Sequence, residues 1–203
     1  MGVLPAIIWF KSADSTNNLS SALLPHLDNL SVVAAWRQSR GRGQGDHVWS
    51  SREGCNLTFT FVVRFAEGLP CSELHLLTCA ATHALTLYLS AKGVDARIKL
   101  PNDIYVDGRK ICGLLIENTL EGKRVASSLI GVGLNLNQTD FPPELPNPVS
   151  LSMLSGRSYD LQEELQELGD MLKKSVSLLD TAEGRNVLKS HFEARRLKPS
   201  GDL

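Results

Sequence analysis

Arg97-Ile98-Lys99-Leu100-Pro101-Asn102-Asp103-Ile104-Tyr105-Val106-Asp107-Gly108-Arg109-Lys110-Ile111-Cys112-Gly113-Leu114-Leu115-Ile116-Glu117 is the stretch that decides the fold. Arg97 to Leu100 reads as a short strand, broken at Pro101. Ile104-Tyr105-Val106 and Ile111 to Ile116 flank Asp107-Gly108, a dipeptide that tolerates the positive φ angles of a tight hairpin turn. A hairpin makes neighbouring strands antiparallel, so the sheet is expected to be mixed or largely antiparallel and the fold class α+β.

Upstream, Leu57, Phe59, Phe61, Val63 and Phe65 alternate with Thr58, Thr60, Val62 and Arg64, which predicts a strand. A helix is expected from Ser72, with Leu74, Leu77, Ala81, Leu85, Tyr88 and Leu89 on its apolar face and Gly93 as its stop. Ala6 to Phe10 and Ser31 to Trp36 read as short strands. Ser15-Thr16-Asn17-Asn18 lies between them and begins a helix that ends near Pro25. Residues 37–54 form a polar loop rich in glycine and arginine, longer than the usual connection of about 4–6 residues. Downstream, Val125 to Leu136 reads as another strand. Pro142, Pro143, Pro146 and Pro148 then make a stiff connector. Beyond it the pattern is helical. Asp160 and Glu163 resemble a capping box, and Leu161, Leu165, Leu168, Leu172, Val176 and Leu179 form one face. A last helix is expected over 183–196.

Composition narrows the function classes. The chain has 203 residues, 42% hydrophobic and 21% charged, which excludes disordered, collagen-like and coiled-coil chains. Lys+Arg 21 against Asp+Glu 22 leaves a net charge of −1, so nothing argues for broad contact with a phosphate backbone. Cys55, Cys71, Cys79 and Cys112 have neither metal-binding nor disulfide-framework spacing and read as free thiols. No apolar run approaches the roughly 18 residues of a membrane span, and no signal peptide is evident. A cytoplasmic protein with no membrane or nucleic-acid partner is expected.

Three segments carry chemistry. Gln38-Ser39-Arg40-Gly41-Arg42-Gly43-Gln44-Gly45 combines glycines, which let backbone N–H groups approach a ligand, with arginines suited to phosphate or carboxylate. Its spacing fits neither a dinucleotide fingerprint nor a phosphate-binding P-loop, and composition alone reads it equally as a solvated hairpin tip. Lys99-Leu100-Pro101-Asn102-Asp103 ends a strand with a lysine placed to meet an anion, or simply half-exposed, before a turn. Gly131-Val132-Gly133-Leu134-Asn135 puts glycines inside an apolar strand, a sign of a bulge or of close backbone approach. Asn135 is either a ligand contact or a buried structural amide.

In this order, Ser15 to Asn17, Gln38 to Gly43 with Trp49, Lys99 to Asp103, Lys110 to Glu117 and Gly131 to Asn135 resemble the biotin protein ligase family, catalytic domain. The resemblance spans residues 6–197, and lipoate ligases share the fold but carry a different motif. It implies a sheet flanked by helices, as in class II aminoacyl-tRNA synthetases and biotin synthetases. The implied activity is ATP- and Mg²⁺-dependent formation of biotinyl-5′-AMP, then transfer of biotin to a lysine of a biotin carboxyl carrier domain. Lys99 and Arg42 are implied as catalytic. Ser15, Thr16, Asn17, Gln38, Gly41, Arg42, Gly43, Gln44 and Lys99 are implied in binding biotin. Trp49, Asn102 and Asn135 are implied in binding ATP, and no residue is assigned to a metal.

Departures from the family pattern accompany the resemblance. Gln44-Gly45-Asp46-His47 stands where further arginines are common, and Leu100 where tryptophan is usual, which suggests a change in packing. The reading gives one catalytic domain over 1–197 and a short tail over 198–203. The family's C-terminal β-barrel and N-terminal DNA-binding domain are not expected, and a homodimer is possible. A lipoate or other acyl-carrier ligase, or a biotin binder without turnover, is the alternative reading.

Overall fold

The structure, a computed structural model, describes residues 7–198. Ala6, the expected start of the first strand, and the tail from Pro199 lie outside the described residues. The strands are β1 (Ile7–Phe10), β2 (Val32–Ala35), β3 (Leu57–Pro70), β4 (Arg97–Lys99), β5 (Asp103–Val106), β6 (Arg109–Glu121) and β7 (Arg124–Leu134). They form one seven-stranded sheet in the order β1-β2-β3-β7-β6-β5-β4. Only β1 and β2 are parallel, and the other neighbours are antiparallel. The expected mixed, largely antiparallel α+β sheet is therefore observed.

The helices are α1 (Thr16–Leu23), α2 (His75–Ala91), α3 (Leu151–Ser155), α4 (Leu161–Ser177) and α5 (Ala182–Arg195). A 3₁₀ turn at Cys71–Glu73 precedes α2, so the α-helix starts later than Ser72. Gly93 closes it with φ +81°, a conformation that glycine adopts without steric cost. Asp160 caps α4 by accepting from the backbone N–H of Gln162 (2.9 Å) and Glu163 (3.0 Å). α3 is a separate short helix within the stretch that reads as helical after the connector.

The two sheet faces differ. One carries the main core, where Phe59 and Phe61 of β3 are fully buried together with Leu77, Leu85 and Leu89 of α2 and the Leu165–Leu168–Leu172 stripe of α4. Each large side chain there contributes on the order of 1.5–3 kcal/mol relative to exposure. The other face is covered at one end by α1, over Val33, Val62 and Leu129. Its remaining part is open and forms the floor of a cavity.

Among the described residues, Cys71–Ala91 is long and apolar enough to cross a membrane by length and composition. The sequence reading expected no such run. In the fold this segment is the core helix, buried between the sheet, α4 and α5.

The helical layer carries a pH-sensitive contact. His83 Nδ1 of α2 lies 2.9 Å from Ser175 Oγ of α4, and His191 Nε2 of α5 lies 2.7 Å from Thr86 Oγ1. The two rings meet edge-on at 4.6 Å. Burial, helped by the charges of His83 and Arg195, lowers the His191 pKa to about 4, and burial also lowers that of His83. The unfolded chain binds a proton near pH 6.5 and the folded one only near 4, so His191 favours folding above that window. Its contribution is lost as pH falls from about 6.5 through about 4. Melting temperature is expected to drop over this range, and His191→Gln should flatten the slope. Parallel pH profiles for the two proteins would count against this account.

Candidate active site

The cavity has a volume of about 380 Å³ and sits on the open face of β6 and β7. Glycines in these strands make room for it. Gly113 and Gly133 are directly opposed across the β6–β7 ladder. A Cβ at Gly133 would lie 2.2 Å from the Trp49 indole, and one at Gly113 would lie 3.0 Å from it. The opposed pair is thus the seat of Trp49. A Cβ at Gly131 would lie 2.4 Å from Asn17 Oδ1, so this glycine admits the start of α1. The close approach expected from the Gly131-Val132-Gly133 step is met by these two side chains.

The polar end of the cavity is built by α1 and the segment after β2. Ser15, Thr16, Asn17 and Gln38 all line it. Gln38 Oε1 accepts from the Thr16 N–H at 2.8 Å, which fixes the amide. Asn17 Nδ2 donates to Leu115 C=O (3.1 Å) and to Glu117 Oε2 (2.8 Å), while its Oδ1 accepts from Thr60 Oγ1 (2.6 Å). Asn17 is therefore a brace for this wall, its amide donors and oxygen engaged by protein.

The glycine–arginine loop folds into a small flap. Gly43 N–H donates to His47 C=O (2.7 Å) and Trp49 N–H to Gly41 C=O (2.9 Å), around a bridge between Arg42 and Val48. Arg42, Gly43, Gln44 and Trp49 line the cavity from this flap. Gly41 does not. It is buried at the flap base, where a Cβ would lie 2.3 Å from the Trp49 carbonyl oxygen. Arg42 Nη2 and Nη1 reach the two oxygens of Glu117 at 2.7 and 3.1 Å.

Lys99 of β4 and Lys110 of β6 differ in their relation to the cavity. Lys99 ends β4 outside the cavity lining and is exposed, with its Nζ 3.3 Å from Tyr105 Oη and 4.6 Å from that ring's centroid. Lys110 lines the cavity, pairs with Asp103 Oδ1 at 2.7 Å and lies 5.6 Å from the Trp49 ring centroid. The cause is a β-bulge. Ile104 pairs with Cys112 and Tyr105 with Lys110, so Ile111 is the extra residue. Without it, Lys110 would share the core face of Cys112 and Leu114; with it, the lysine turns to the cavity beside Tyr105. Leu100 is 52% exposed, so the change in packing that its difference from tryptophan suggests falls at the surface.

Asn102 and Asn135 both line the cavity, and both hold backbone. Asn102 Nδ2 donates to Leu114 C=O at 2.5 Å, while the Leu114 N–H donates to the Asn102 carbonyl at 2.9 Å. Asn135 Nδ2 donates to Val149 C=O (3.1 Å) and Lys110 C=O (3.5 Å). Their expected contacts to a nucleotide would come in addition to these structural bonds.

Sequence reasoning missed one wall. Phe141, Leu145, Pro146 and Pro148 of the proline-rich connector also line the cavity. The connector docks on β6, with Lys110 N–H donating to Asn147 C=O and Val149 N–H to Lys110 C=O, both at 2.9 Å. Proline spacing showed stiffness but not the place where the segment returns. Among the described residues no group of three His, Cys, Asp or Glu side chains is arranged to hold a metal.

Known proteins resemble this chain along most of its length. The model of the biotin/lipoate A/B protein ligase family matches residues 9–135. The bifunctional ligase/repressor BirA of Bacillus spizizenii is 37% identical over 141 residues, covering 68% of this chain and 43% of that protein. The biotin–[acetyl-CoA-carboxylase] ligase of Paracoccus denitrificans is 30% identical over 173 residues, covering 83% of this chain and 72% of that one. The chain spans about half the length of the first curated relatives it matches. In fold it is similar to the biotin protein ligase from Aquifex aeolicus in complex with biotin and ATP, with a TM-score of 0.81 and 24% identity over 95% of this chain and 78% of that one.

Proposed function

This chain belongs to the biotin/lipoate A/B protein ligase family, and from that premise we propose that it joins biotin to ATP and passes the biotinyl group to a lysine of a biotin carboxyl carrier domain. The observation that carries this reading is one cavity with a fixed neutral polar end, a lysine on its wall and an aromatic flap over it. In the first step a biotin carboxylate oxygen attacks the α-phosphorus of ATP, and pyrophosphate leaves. Two anions must meet, so a fixed cation beside them lowers the barrier as charge grows on the phosphoryl oxygens. Lys110 suits this role better than Lys99, because it lines the cavity and Lys99 does not. In the second step the neutral amine of the carrier lysine attacks the acyl carbon, and AMP leaves.

Ser15, Thr16 and Gln38 suit a urea ring, which offers two N–H donors and one carbonyl acceptor in a rigid plane. The dithiolane of a lipoyl group has no such donors, so this polar end favours biotin. Trp49 closes the apolar middle, and the flap excludes water from the reactive mixed anhydride. Among the described residues there is no clustered metal site. Mg²⁺ would enter on the ATP phosphates. Four free cysteines, with Cys79 pushed up to about 11 and Cys112 raised, both by burial, suit a reducing compartment such as the cytoplasm.

Pyrophosphate exchange into ATP is expected with biotin and not with lipoate or octanoate. Exchange with lipoate alone would replace this reading by that of a lipoate ligase. Biotin binding without exchange would leave a binder that has lost turnover.

A further inference from the structure

Glu117 stands outside the cavity lining, yet its carboxylate holds two residues that belong to it. Oε1 accepts from Arg42 Nη2 at 2.7 Å, and Oε2 accepts from Arg42 Nη1 at 3.1 Å and from Asn17 Nδ2 at 2.8 Å. Arg42 Nη1 also donates to Asn18 Oδ1 at 2.8 Å, and Asn18 Nδ2 donates to Asp14 Oδ2 at 2.8 Å. One carboxylate on β6 therefore ties the flap to the first turn of α1. The register explains why this residue can do so: Gly113, Leu115 and Glu117 alternate along the cavity face of β6. Between the flap and this wall, a two-pronged guanidinium–carboxylate pair is stronger and more directional than a single contact. The Arg42 and Glu117 side chains are 43% and 36% exposed, so solvent screens the pair and its net contribution is modest. A contact of this strength can hold a flap that must also open.

We propose that Glu117 is a positioning residue that latches the flap over the cavity by holding Arg42 and Asn17 at once. This rests on the ligase reading for its consequence, which is retention of the acyl-adenylate, but the latch itself does not depend on that reading. Glu117 touches no reacting atom. It acts by setting how often Arg42 and Trp49 are in place over the cavity. Glu117→Gln keeps the shape of the side chain and removes its charge, so Arg42 loses its ion pair while the fold is kept.

The test has two arms. In the first, hydrogen exchange of residues 41–49 is followed in the ligand-free protein and in the Glu117→Gln, Arg42→Ala and double variants. Exchange in this segment is expected to rise about three- to fivefold in each single variant, and no further in the double variant. Protection at β3 and α2 should not change. Unchanged flap exchange in Glu117→Gln, independent addition in the double variant, or loss of protection throughout the sheet would overturn the latch. In the second arm, release of preformed biotinyl-AMP is timed. Glu117→Gln should release it about three- to fivefold faster, while the rate of pyrophosphate exchange at saturating biotin changes less. Equal release rates would again overturn the proposal. If the wild-type chain makes no adenylate, the ligase reading fails, and the first arm still decides the latch.

Discussion

Lys110→Ala is expected to slow biotin-dependent pyrophosphate exchange by at least about 100-fold, the scale of removing one charge-stabilising donor from a transition state. Two effects act together. The cation beside the incoming carboxylate and phosphate is lost, and Asp103, whose Oδ1 lies 2.7 Å from Lys110 Nζ, is left as an uncompensated anion. The second effect can be separated from the first. Adding Asp103→Asn to Lys110→Ala removes the stranded charge and should recover part of the rate, about tenfold at most, with the rest assigned to the lost lysine. Lys99→Ala should cost only a few-fold, because the Lys99 amine lies against the Tyr105 ring outside the cavity lining. Pyrophosphate exchange with each purified variant decides the matter. An equal or larger loss in Lys99→Ala would return the role to Lys99 and require that hairpin to rearrange when ATP binds.

That lysine also shows where sequence reasoning ran out. The Asp107-Gly108 turn was legible, because its residues state a backbone conformation, and Asp107 (φ 49°) and Gly108 (φ 74°) adopt it. The bulge at Ile111 was not. Period-2 reading assumes an unbroken ladder, and a single inserted residue reverses the facing of everything beyond it. Lys110 stands in a recognisable motif, but only the shifted pairing of Tyr105 with Lys110 turns it to the cavity. The connector was hidden for another reason. Pro142 to Pro148 reads locally as a spacer, whereas its role as a wall depends on the long-range bond from Lys110 N–H to Asn147 C=O. The longer helices were legible to within a few residues because features such as the α4 stripe and the Asp160 cap are local signals. Gly131 and Gly133 announced a close approach, but sequence could not say to what.

The identity of that neighbour gives the second large effect. Gly133→Ala is expected to weaken biotin binding at least about 30-fold, the scale of losing a well-packed aromatic anchor. No backbone strain is involved, because Gly133 is not among the residues with positive φ. The added methyl carbon would instead lie 2.2 Å from Trp49 Cε2 and 2.6 Å from Nε1, far inside van der Waals contact. The sheet cannot yield, since Gly133 is hydrogen-bonded into a ladder with β3 on one side and β6 on the other. The flap can yield, so the indole leaves its seat and the apolar middle of the cavity opens to water. Gly113→Ala should be milder, because its methyl would meet the far edge of the ring at 3.0 Å and the flexible Lys110 chain at 3.4 Å. Stability should change little in either variant, since the displaced side chain belongs to the flap and not to the main core. Calorimetric titration with biotin measures the loss, and a cycle with Trp49→Ala tests its cause. Once Trp49 is alanine, adding Gly133→Ala should cost almost nothing further. A full loss in that background would mean that the methyl group blocks biotin directly, and Trp49 would no longer be the element that the glycine pair exists to seat.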